Sequence, residues 1–339
     1  MSRLLATLLL TASATVSTAN PIVIAHRGAS GYLPEHTLEA KTLAHAMGAD
    51  YIEQDVVLTA DGIPIVLHDI YLESTTDVEH KYPQRARADG RYYALDFKLE
   101  EIRQLRAHER SRRDSQGHEV AVYPQRFPLN QGEFRVPTLA EEIALIAGLD
   151  RSRGQRTGLY LELKAPRWHT SQGYDLASAI LEVLENSGYA GRTGQVYLQC
   201  FDDATLIRLR EELKSPLPLI QLIGENDWGE DTAADYEAMR SPEGLDRVAR
   251  YASGIGPWIP HVVAAQADGS ITATALTRQA QQRGLQVHPY TLRQDELPAN
   301  VKNLDELHRA LFESAGVDGA FTDFPDLTRR YLDARRAAP

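Results

Sequence analysis

Short apolar runs rich in valine, isoleucine and leucine alternate along the chain with longer stretches in which apolar residues recur at helical spacing. This alternation is typical of a parallel α/β fold, because two parallel strands need a crossover segment between them. Eight such runs predict parallel strands, at residues 22–25, 51–57, 159–163, 196–199, 219–223, 254–256, 286–288 and 319–322. Eight strands with intervening helices predict a (β/α)8 TIM barrel.

A further run, residues 63–68, follows the second strand after only Ala60, Asp61 and Gly62. That connection is too short for a parallel crossover, and an Asp-Gly pair at this spacing favours a hairpin turn. We therefore expect this run to fold back as an antiparallel arm of the second strand.

Residues 71–136 form a longer connection than one barrel helix requires, and they predict an insertion after the second strand and its arm. Within it, Leu99, Ile102 and Leu105 have helical spacing. Beyond it, the sequence from Thr138 to Glu141 is a capping box that begins a helix. Two placements of the insertion are open: a lid over the C-terminal ends of the strands, where TIM barrels carry their chemistry, or a solvent-exposed excursion.

The first residues of the chain differ from the rest. Arg3 is followed by the apolar stretch 4–10 and then by small residues, which predicts a secretory signal peptide over residues 1–19. The alternative is an ordinary amphipathic helix at the N-terminus. No apolar run approaches the roughly 18 residues of a membrane-spanning helix, so we expect residues 20–339 to form one domain without stable membrane insertion. An exported protein is predicted, periplasmic if the source is a double-membraned bacterium.

Composition excludes several classes of protein. The 339 residues are 43% hydrophobic and 24% charged, which allows a large core and excludes a disordered chain. A formal net charge of −11 argues against a general nucleic-acid binder. The single cysteine, Cys200, excludes an internal disulfide and a cysteine-based zinc cluster, and it is expected to be a small buried residue.

Three carboxylates are predicted to meet at one end of the barrel. Alternation along the second strand places Glu53 and Asp55 on one face, and Glu162 ends the next barrel strand in the same manner. Like charges this close repel one another unless a cation lies between them, although a salt-bridged surface is the alternative interpretation. Oxygen ligands without adjacent cysteines or paired histidines favour Ca²⁺ or Mg²⁺ over zinc. Export favours calcium, so we expect Ca²⁺, with Mg²⁺ as the alternative.

His26 and His68 each end an apolar run of the kind that forms strands. Histidine exchanges protons near neutral pH, so two of them on opposite sides of a reacting bond can act as base and acid. A structural role at a strand end is the alternative for each. Arg27 offers a forked donor that suits the oxygens of a phosphate, and Lys164 offers a compact positive charge, while both can also pair with the nearby carboxylates.

Two further features near the first strand carry weaker signals. The segment 28–31, Gly-Ala-Ser-Gly, resembles a phosphate-binding loop, but it lacks the full glycine spacing of either nucleotide motif. Glu35 lies just before a predicted helix, where it is expected either to orient His68 or Arg27 or to cap that helix.

These residues resemble the glycerophosphodiester phosphodiesterase family, and the long insertion is similar to that of its bacterial periplasmic branch. The most specific segments are 24–30 (Ile-Ala-His-Arg-Gly-Ala-Ser), 34–37 (Pro-Glu-His-Thr), 53–56 (Glu-Gln-Asp-Val), Asp61-Gly62 and 66–69 (Val-Leu-His-Asp). Similarity continues through 161–166, 197–201, 287–291 and 321–325, so it extends over nearly the whole mature chain.

The resemblance implies a role for each matching residue. Two histidines are implied as the general acid and base, with an arginine beside them: His26, His68 and Arg27. Three carboxylates are implied as ligands of a divalent cation, usually calcium in this branch: Glu53, Asp55 and Glu162. The phosphate contacts are implied to be Arg27 and Lys164, and the glycerol end is implied to be lined by Gln199, Phe201, Trp258 and Tyr290.

The implied reaction is hydrolysis of small glycerophosphodiesters, such as glycerophosphocholine or glycerophosphoethanolamine, to sn-glycerol 3-phosphate and an alcohol. Water or the neighbouring hydroxyl of the substrate's own glycerol is the nucleophile, and which histidine acts first is open. Many relatives carry an arginine in the stretch after His-Asp, where this chain has Ser74. Two alternatives stay open: an exported binding protein that captures a phosphorylated ligand without catalysis, and a hydrolase of glycerophosphate polymers.

Overall fold

The structure is a computed structural model that describes residues 20–266 and 270–337. The predicted signal peptide, residues 1–19, lies outside the described residues. The described residues form thirteen strands: β1 (Ile22–Ala25), β2 (Tyr51–Leu58), β3 (Pro64–Val66), β4 (Ser111–Arg113), β5 (Glu119–Ala121), β6 (Gly158–Leu163), β7 (Val196–Cys200), β8 (Leu219–Ile223), β9 (Gly254–Pro257), β10 (Val263–Ala265), β11 (Ile271–Ala273), β12 (Gln286–Val287) and β13 (Gly319–Thr322).

Helices connect the barrel strands and cover their outer face. The α-helices are α1 (Leu38–Ala46), α2 (Val78–Lys81), α3 (Leu99–Ile102), α4 (Leu139–Arg153), α5 (Pro166–Ser171), α6 (Leu176–Asn186), α7 (Asp203–Glu211), α8 (Tyr236–Met239), α9 (Pro242–Val248), α10 (Ile259–Val262), α11 (Leu276–Gln281), α12 (Leu304–His308) and α13 (Pro325–Ala337). A 3₁₀ turn covers Ala94–Asp96, and a π-helix over Arg309–Ala315 continues α12. Among the described helices, none is both long and apolar enough to cross a membrane.

Eight parallel strands form a nearly closed barrel in the order β12, β9, β8, β7, β6, β2, β1, β13. Backbone hydrogen bonds beside β12 and β13 join the two ends, from Asp318 N to Val287 O (3.1 Å) and from Phe321 N to Pro289 O (3.0 Å). The predicted TIM barrel is therefore confirmed, with all eight strands at the predicted places. β3 pairs antiparallel with β2, as the Asp-Gly turn predicted.

The interior of the barrel is filled with large side chains below the strand ends. Ile24, Tyr160, Tyr197 and Phe321 pack together there, and the Tyr160 hydroxyl lies 2.9 Å from Nδ1 of the buried His288. Because parallel strands are buried on both faces, all six residues of β6 are buried. A floor of this kind confines polar chemistry to the open C-terminal mouth of the barrel.

The insertion builds a second hydrophobic core of its own. Phe97, Ile102 and Leu105 are fully buried in it, with partners from β2, β3 and the chain before β6. The predicted helical spacing gives only the single turn α3, and Leu105 lies beyond the helix but in the same core. The capping box at Thr138 begins α4 as predicted.

The far part of the insertion lies against the C-terminal mouth of the barrel. Tyr123 Oη donates to Glu296 (3.0 Å), and the Arg126 guanidinium binds Asp295 (2.8 Å) and Asp323 (2.7 Å). Asp295 and Glu296 follow β12, and Asp323 follows β13. The insertion is therefore fastened beside the barrel mouth and is not a solvent-exposed excursion.

Candidate active site

Polar side chains from the ends of four neighbouring strands converge on one cavity of about 550 Å³ at the barrel mouth. His26 and Arg27 follow β1, Glu53 lies in β2, and His68 follows the arm β3. Across from them the cavity is lined by six further predicted residues and by one aromatic residue that was not predicted, Trp228. The six are Glu162, Lys164, Gln199, Phe201, Trp258 and Tyr290.

The three predicted carboxylates form one buried cluster. Asp55 and Glu162 are direct partners in the register between β2 and β6, and Glu53 lies two residues before Asp55 on the same face. One oxygen from each of Glu53, Asp55 and Glu162 lies within 4.8 Å of the others. Asp55 Oδ1 is buried without a hydrogen-bond partner. An all-oxygen set with an unpartnered buried carboxylate oxygen fits a hard divalent cation.

The electrostatics of the cluster indicate the same need for a cation. Burial, and then the neighbouring Asp55 and Glu162, raise the pKa of Glu53 well above its usual range. Burial raises the pKa of Glu162 to about 8, against the opposing effect of Lys164. Three carboxylates in so small a volume cannot all be ionised without a positive charge between them, and a bound divalent cation supplies that charge.

A buried polar chain behind the cluster fixes Asp55. His36 Nε2 lies 2.7 Å from Asp55 Oδ2, and Lys41 Nζ lies 3.1 Å from His36 Nδ1. Lys41 in turn lies 3.3 Å from Glu142 on α4. Burial, and then the Lys41 ammonium, lower the pKa of His36 to about 3, so the imidazole is neutral. The sequence places His36 in the segment 34–37 but does not predict that its imidazole would bind Asp55.

His26 and His68 are held in the same way. His26 Nδ1 lies 2.6 Å from Asp323 Oδ1, and His68 Nδ1 lies 2.5 Å from Asp69 Oδ1. A carboxylate on Nδ1 holds the proton there and directs Nε2 as the free acceptor. His26 Nε2 faces the carboxylate cluster, 3.8 Å from Glu53. His68 Nε2 lies 3.4 Å from Lys164 Nζ, which itself binds Glu162 of that cluster.

Both imidazoles are neutral in the free site. Burial, and then the charge of Arg27, lower the pKa of His26 to about 4. Burial, followed by Arg27 and Lys164, lowers the pKa of His68 to about 4 as well. Each histidine therefore presents an unprotonated Nε2 to the cavity at neutral pH.

Arg27 lies between the histidines and is anchored at both ends. Its backbone N–H donates to Glu53 Oε2 (2.8 Å), and its guanidinium Nη1 donates to both oxygens of Glu35 (2.9 and 3.1 Å). The Arg27 Nε is buried and lies 3.6 Å from Asp55 Oδ2, so the guanidinium is also paired with the carboxylate cluster. Glu35 thus binds Arg27, and the helix α1 is capped by Thr37 instead, whose Oγ1 accepts from Ala40 N.

Lys164 and Gln199 complete the polar side of the cavity. Lys164 Nζ donates to Glu162 Oε1 (2.6 Å), which is the pairing that the sequence left open. Gln199 Nε2 donates to Glu53 Oε1 (2.9 Å). Gln199 therefore contacts the carboxylate cluster directly, in addition to lining the cavity where the glycerol was expected.

The aromatic residues form the opposite wall. The rings of Phe201 and Tyr290 lie 6.0 Å apart, and Trp228 packs edge-on against Trp258 at 5.2 Å. Trp228 is 41% exposed, so it lies at the rim of the cavity. Sequence reasoning missed Trp228, since a tryptophan in a loop carries no periodic signal.

The segment 28–31 does not cradle an anion. Three of its four backbone N–H groups are already used within the protein: Gly28 N donates to Ala25 O, Ala29 N to Ala40 O, and Gly31 N to Asp323 O. The glycines serve close packing instead, because a Cβ on Gly28 would come within 2.9 Å of the Ala40 backbone. The expectation of a phosphate-binding loop is wrong at these positions.

Asp323 binds one imidazole and two guanidinium groups at the end of β13. Besides His26, it binds the guanidinium groups of Arg126 (2.7 Å) and Arg293 (2.9 Å). These side chains, with Tyr123, line a second cavity of about 150 Å³ on the other side of the two histidines. Sequence reasoning missed Asp323, although its position directly after the last predicted strand places it at the same mouth as the other carboxylates.

The comparisons with known proteins agree over nearly the whole described chain. Residues 26–327 match the glycerophosphoryl diester phosphodiesterase family. A glycerophosphodiester phosphodiesterase of Haemophilus influenzae is 43% identical over 326 residues, which are 92% of this chain and 89% of the relative. One of Treponema pallidum is 37% identical over 326 residues, 92% of this chain and 91% of the relative.

A solved structure shares the architecture. A candidate glycerophosphoryl diester phosphodiesterase from Silicibacter pomeroyi DSS-3 superimposes with a TM-score of 0.71 at 26% identity, over 94% of this chain and 95% of the other. The family match covers most of the chain and begins at His26 itself. With the barrel and the site in place, the chain belongs to the glycerophosphoryl diester phosphodiesterase family.

Proposed function

We propose that the protein hydrolyses small glycerophosphodiesters to sn-glycerol 3-phosphate and an alcohol, using His26 and His68 as an acid/base pair. One observation carries the proposal: two imidazoles with unprotonated Nε2 atoms, one guanidinium and two carboxylates of the three-carboxylate cluster, Glu53 and Glu162, line the same cavity. This set matches the needs of a phosphodiester, which is anionic and resists attack until its charge is neutralised.

Two positively charged side chains of the cavity would bind the phosphate of the substrate. The phosphate would lie beside Arg27 and Lys164, whose positively charged side chains both line the cavity. Besides burial, Arg27 lowers the pKa of both imidazoles, and Lys164 also lowers that of His68. An anion bound beside these cations offsets their charge, so a histidine holds an accepted proton more easily when substrate is bound. The aromatic wall gives the carbon atoms of the substrate a surface to pack against.

The two histidines would carry out the proton transfers. As the substrate anion binds, one imidazole takes up a proton from solvent on Nε2 and later gives it to the departing alcohol. The neutral Nε2 of the other imidazole takes the proton of the nucleophile, which is water or the substrate's own glycerol hydroxyl. Asp323 and Asp69 keep each imidazole in the orientation and tautomer that this exchange requires. Arg27 faces the phosphate and stabilises the negative charge that develops on the phosphate oxygens.

A divalent cation, which we propose to be Ca²⁺, would be held by Glu53, Asp55 and Glu162. The support is the buried all-oxygen set and its unpartnered Asp55 oxygen. When bound, the ion supplies a positive charge that polarises the phosphate and lowers the barrier to attack. Mg²⁺ is the alternative ion.

We also propose that the protein is exported, with residues 1–19 as a signal peptide, and that it acts in glycerol and lipid metabolism. The support for export is the short apolar stretch after Arg3 and the small residues that follow it. Fractionation of cells that produce the full chain would find the activity in the periplasmic fraction, with a mature N-terminus at Asn20. Activity confined to the cytoplasm in an unprocessed chain would contradict export.

The central experiment assays the purified protein on glycerophosphocholine with and without calcium, by release of sn-glycerol 3-phosphate. We expect turnover that excess chelator abolishes and calcium restores. Full turnover in excess chelator would exclude the metal role. Binding without turnover on any glycerophosphodiester would favour the binding protein, and turnover on a glycerophosphate polymer alone would favour the polymer hydrolase.

A further inference from the structure

Arg110 of the insertion lies between two carboxylates of the active site. Its Nη2 and Nε donate to Glu35 (2.7 and 2.9 Å), and its Nη1 donates to Asp69 (2.8 Å). The three side chains are between 10% and 21% exposed, so these contacts are largely shielded from water. The guanidinium fork uses one edge for Glu35 and its remaining nitrogen for Asp69, which no lysine can reproduce.

Each of these carboxylates also holds a residue that faces the substrate cavity. Glu35 accepts two hydrogen bonds from Arg27, and Asp69 binds Nδ1 of His68. The five side chains therefore form one hydrogen-bonded row in which carboxylates alternate with arginine or histidine. Their order is Arg27, Glu35, Arg110, Asp69, His68. Arg110 is the member of the row that connects the phosphate-facing arginine with one of the two histidines.

Arg110 lowers the pKa of both carboxylates, Glu35 and Asp69. Against the opposing effect of burial, Arg110 and Arg27 hold the pKa of Glu35 well below its usual range. Against burial, Arg110 and His68 do the same for the pKa of Asp69. Both carboxylates are thus ionised, and each can accept hydrogen bonds from two cationic or imidazole partners at once.

The backbone places Arg110 firmly. It directly precedes β4, and its neighbours pair with the segment after His68: His108 N donates to Thr75 O (2.9 Å), and Ser111 N donates to Ser74 O (2.9 Å). Ser74 is the position where the resemblance implied an arginine. The guanidinium of Arg110 therefore comes from the part of the insertion that pairs with Ser74 and Thr75, next to the position where this chain lacks an arginine.

We propose that Arg110 is a positioning residue for catalysis, which aligns Arg27 through Glu35 and His68 through Asp69 at the same time. Arg110 itself does not line the larger cavity and does not contact the carboxylate cluster of Glu53, Asp55 and Glu162 in the described structure. The inference rests on the proposed function. It assigns the insertion a part in the reaction and not only in shaping the barrel mouth.

The first test compares Arg110→Ala, Arg110→Lys and the matched control Arg112→Ala, an exposed arginine two residues further along β4. For glycerophosphocholine with calcium, we expect Arg110→Ala to lower kcat and kcat/KM together by about 100-fold, because a small misplacement of reacting groups costs about that much. Arg110→Lys should recover only part of the loss, and Arg112→Ala should behave as the wild type. Circular dichroism and the thermal midpoint establish that each variant is folded.

The second test is a double-mutant cycle with Asp69→Asn. Since Arg110 acts through both Glu35 and Asp69, the loss in the double variant should be clearly smaller than the product of the two single losses, because both changes break the same connection to His68. Losses that multiply would overturn the proposal. So would an Arg110→Ala variant with wild-type kcat, or an Arg110→Lys variant with full activity, which would mean that charge alone is required.

The outcomes separate this inference from the proposed function. An active wild type with unaffected Arg110 variants overturns only the inference. A wild type without activity on any glycerophosphodiester overturns the proposed function and the inference with it.

Discussion

At the scale of single residues, the two histidines share one design, a carboxylate on Nδ1 and a free Nε2 toward the cavity. Such an imidazole is fixed in tautomer and orientation before substrate arrives. We therefore expect His26→Ala and His68→Ala each to lower kcat by at least about 100-fold, since general acid/base catalysis contributes about 10² to 10⁴. His118→Ala, at a position 70% exposed in the insertion, is the control for histidine removal. Near-normal turnover in both active-site variants would refute the assignment.

The raised pKa values of the carboxylate cluster predict how cation binding depends on pH. Protons compete with the ion for Glu53 and Glu162, whose pKa values are raised in the empty site, the latter to about 8. Calcium affinity should therefore rise with pH and level off above about pH 8, because the ligands must be deprotonated to bind. Calorimetric titration at a series of pH values measures this. Glu162→Gln should bind calcium more weakly and with a flatter pH dependence, and an unchanged dependence would contradict the ligand set.

Residue-level chemistry was predictable where it follows from strand alternation. Glu53, Asp55 and Glu162 were found because carboxylates at alternating positions of adjacent parallel strands must share a face. Arg110 and Asp323 were missed because their contacts depend on the path of the chain between distant segments. Arg110 is 75 residues from Glu35, and Asp323 is 297 residues from His26. The position of Asp323 after the last strand indicates that it lies at the barrel mouth, but no local pattern identifies His26 as its partner or Glu35 as the partner of Arg110.

At the scale of elements, the insertion is held by its own core, and its stability should govern activity. Phe97 is fully buried there, so Phe97→Ala should cost about 3 to 5 kcal/mol of unfolding free energy. Because Arg110 belongs to the same segment, we expect activity to fall at temperatures where the barrel is still folded. Denaturant unfolding and activity measured in parallel test this. Ile63→Ala, at a position 36% exposed, is the control and should change stability by less than about 0.5 kcal/mol.

The elements differ in how well the sequence predicts them. The barrel strands were predictable, since each is a short apolar run that must be buried on both faces. The hairpin of β4 and β5 was not, because it is short and polar, with Ser111, Arg112 and Arg113 in β4. Its pairing is determined by the neighbouring segments, to which Ser111 is hydrogen-bonded through Ser74. Tertiary contacts override weak local preference in such strands.

At the scale of the whole molecule, cation binding should stabilise the entire barrel. The proposed ligands come from β2 and β6, which are neighbours in the same sheet, so binding requires the folded protein. Calcium at about 100 times its dissociation constant should add about 2.7 kcal/mol to the free energy of unfolding. Thermal unfolding with and without calcium would show this as a rise in Tm. The variant with Glu53→Gln and Glu162→Gln should lose the rise, and a rise of equal size in that variant would place the ion elsewhere.

The contact between His26 and Asp323 brings the first and last strands of the barrel into one catalytic unit. His26 follows β1 and Asp323 follows β13, so a growing polypeptide displays its histidine long before the aspartate that orients it has been made. A ribosome-bound or prematurely terminated chain consequently lacks a complete catalyst. Phosphodiester cleavage can therefore begin only after synthesis has passed the last strand.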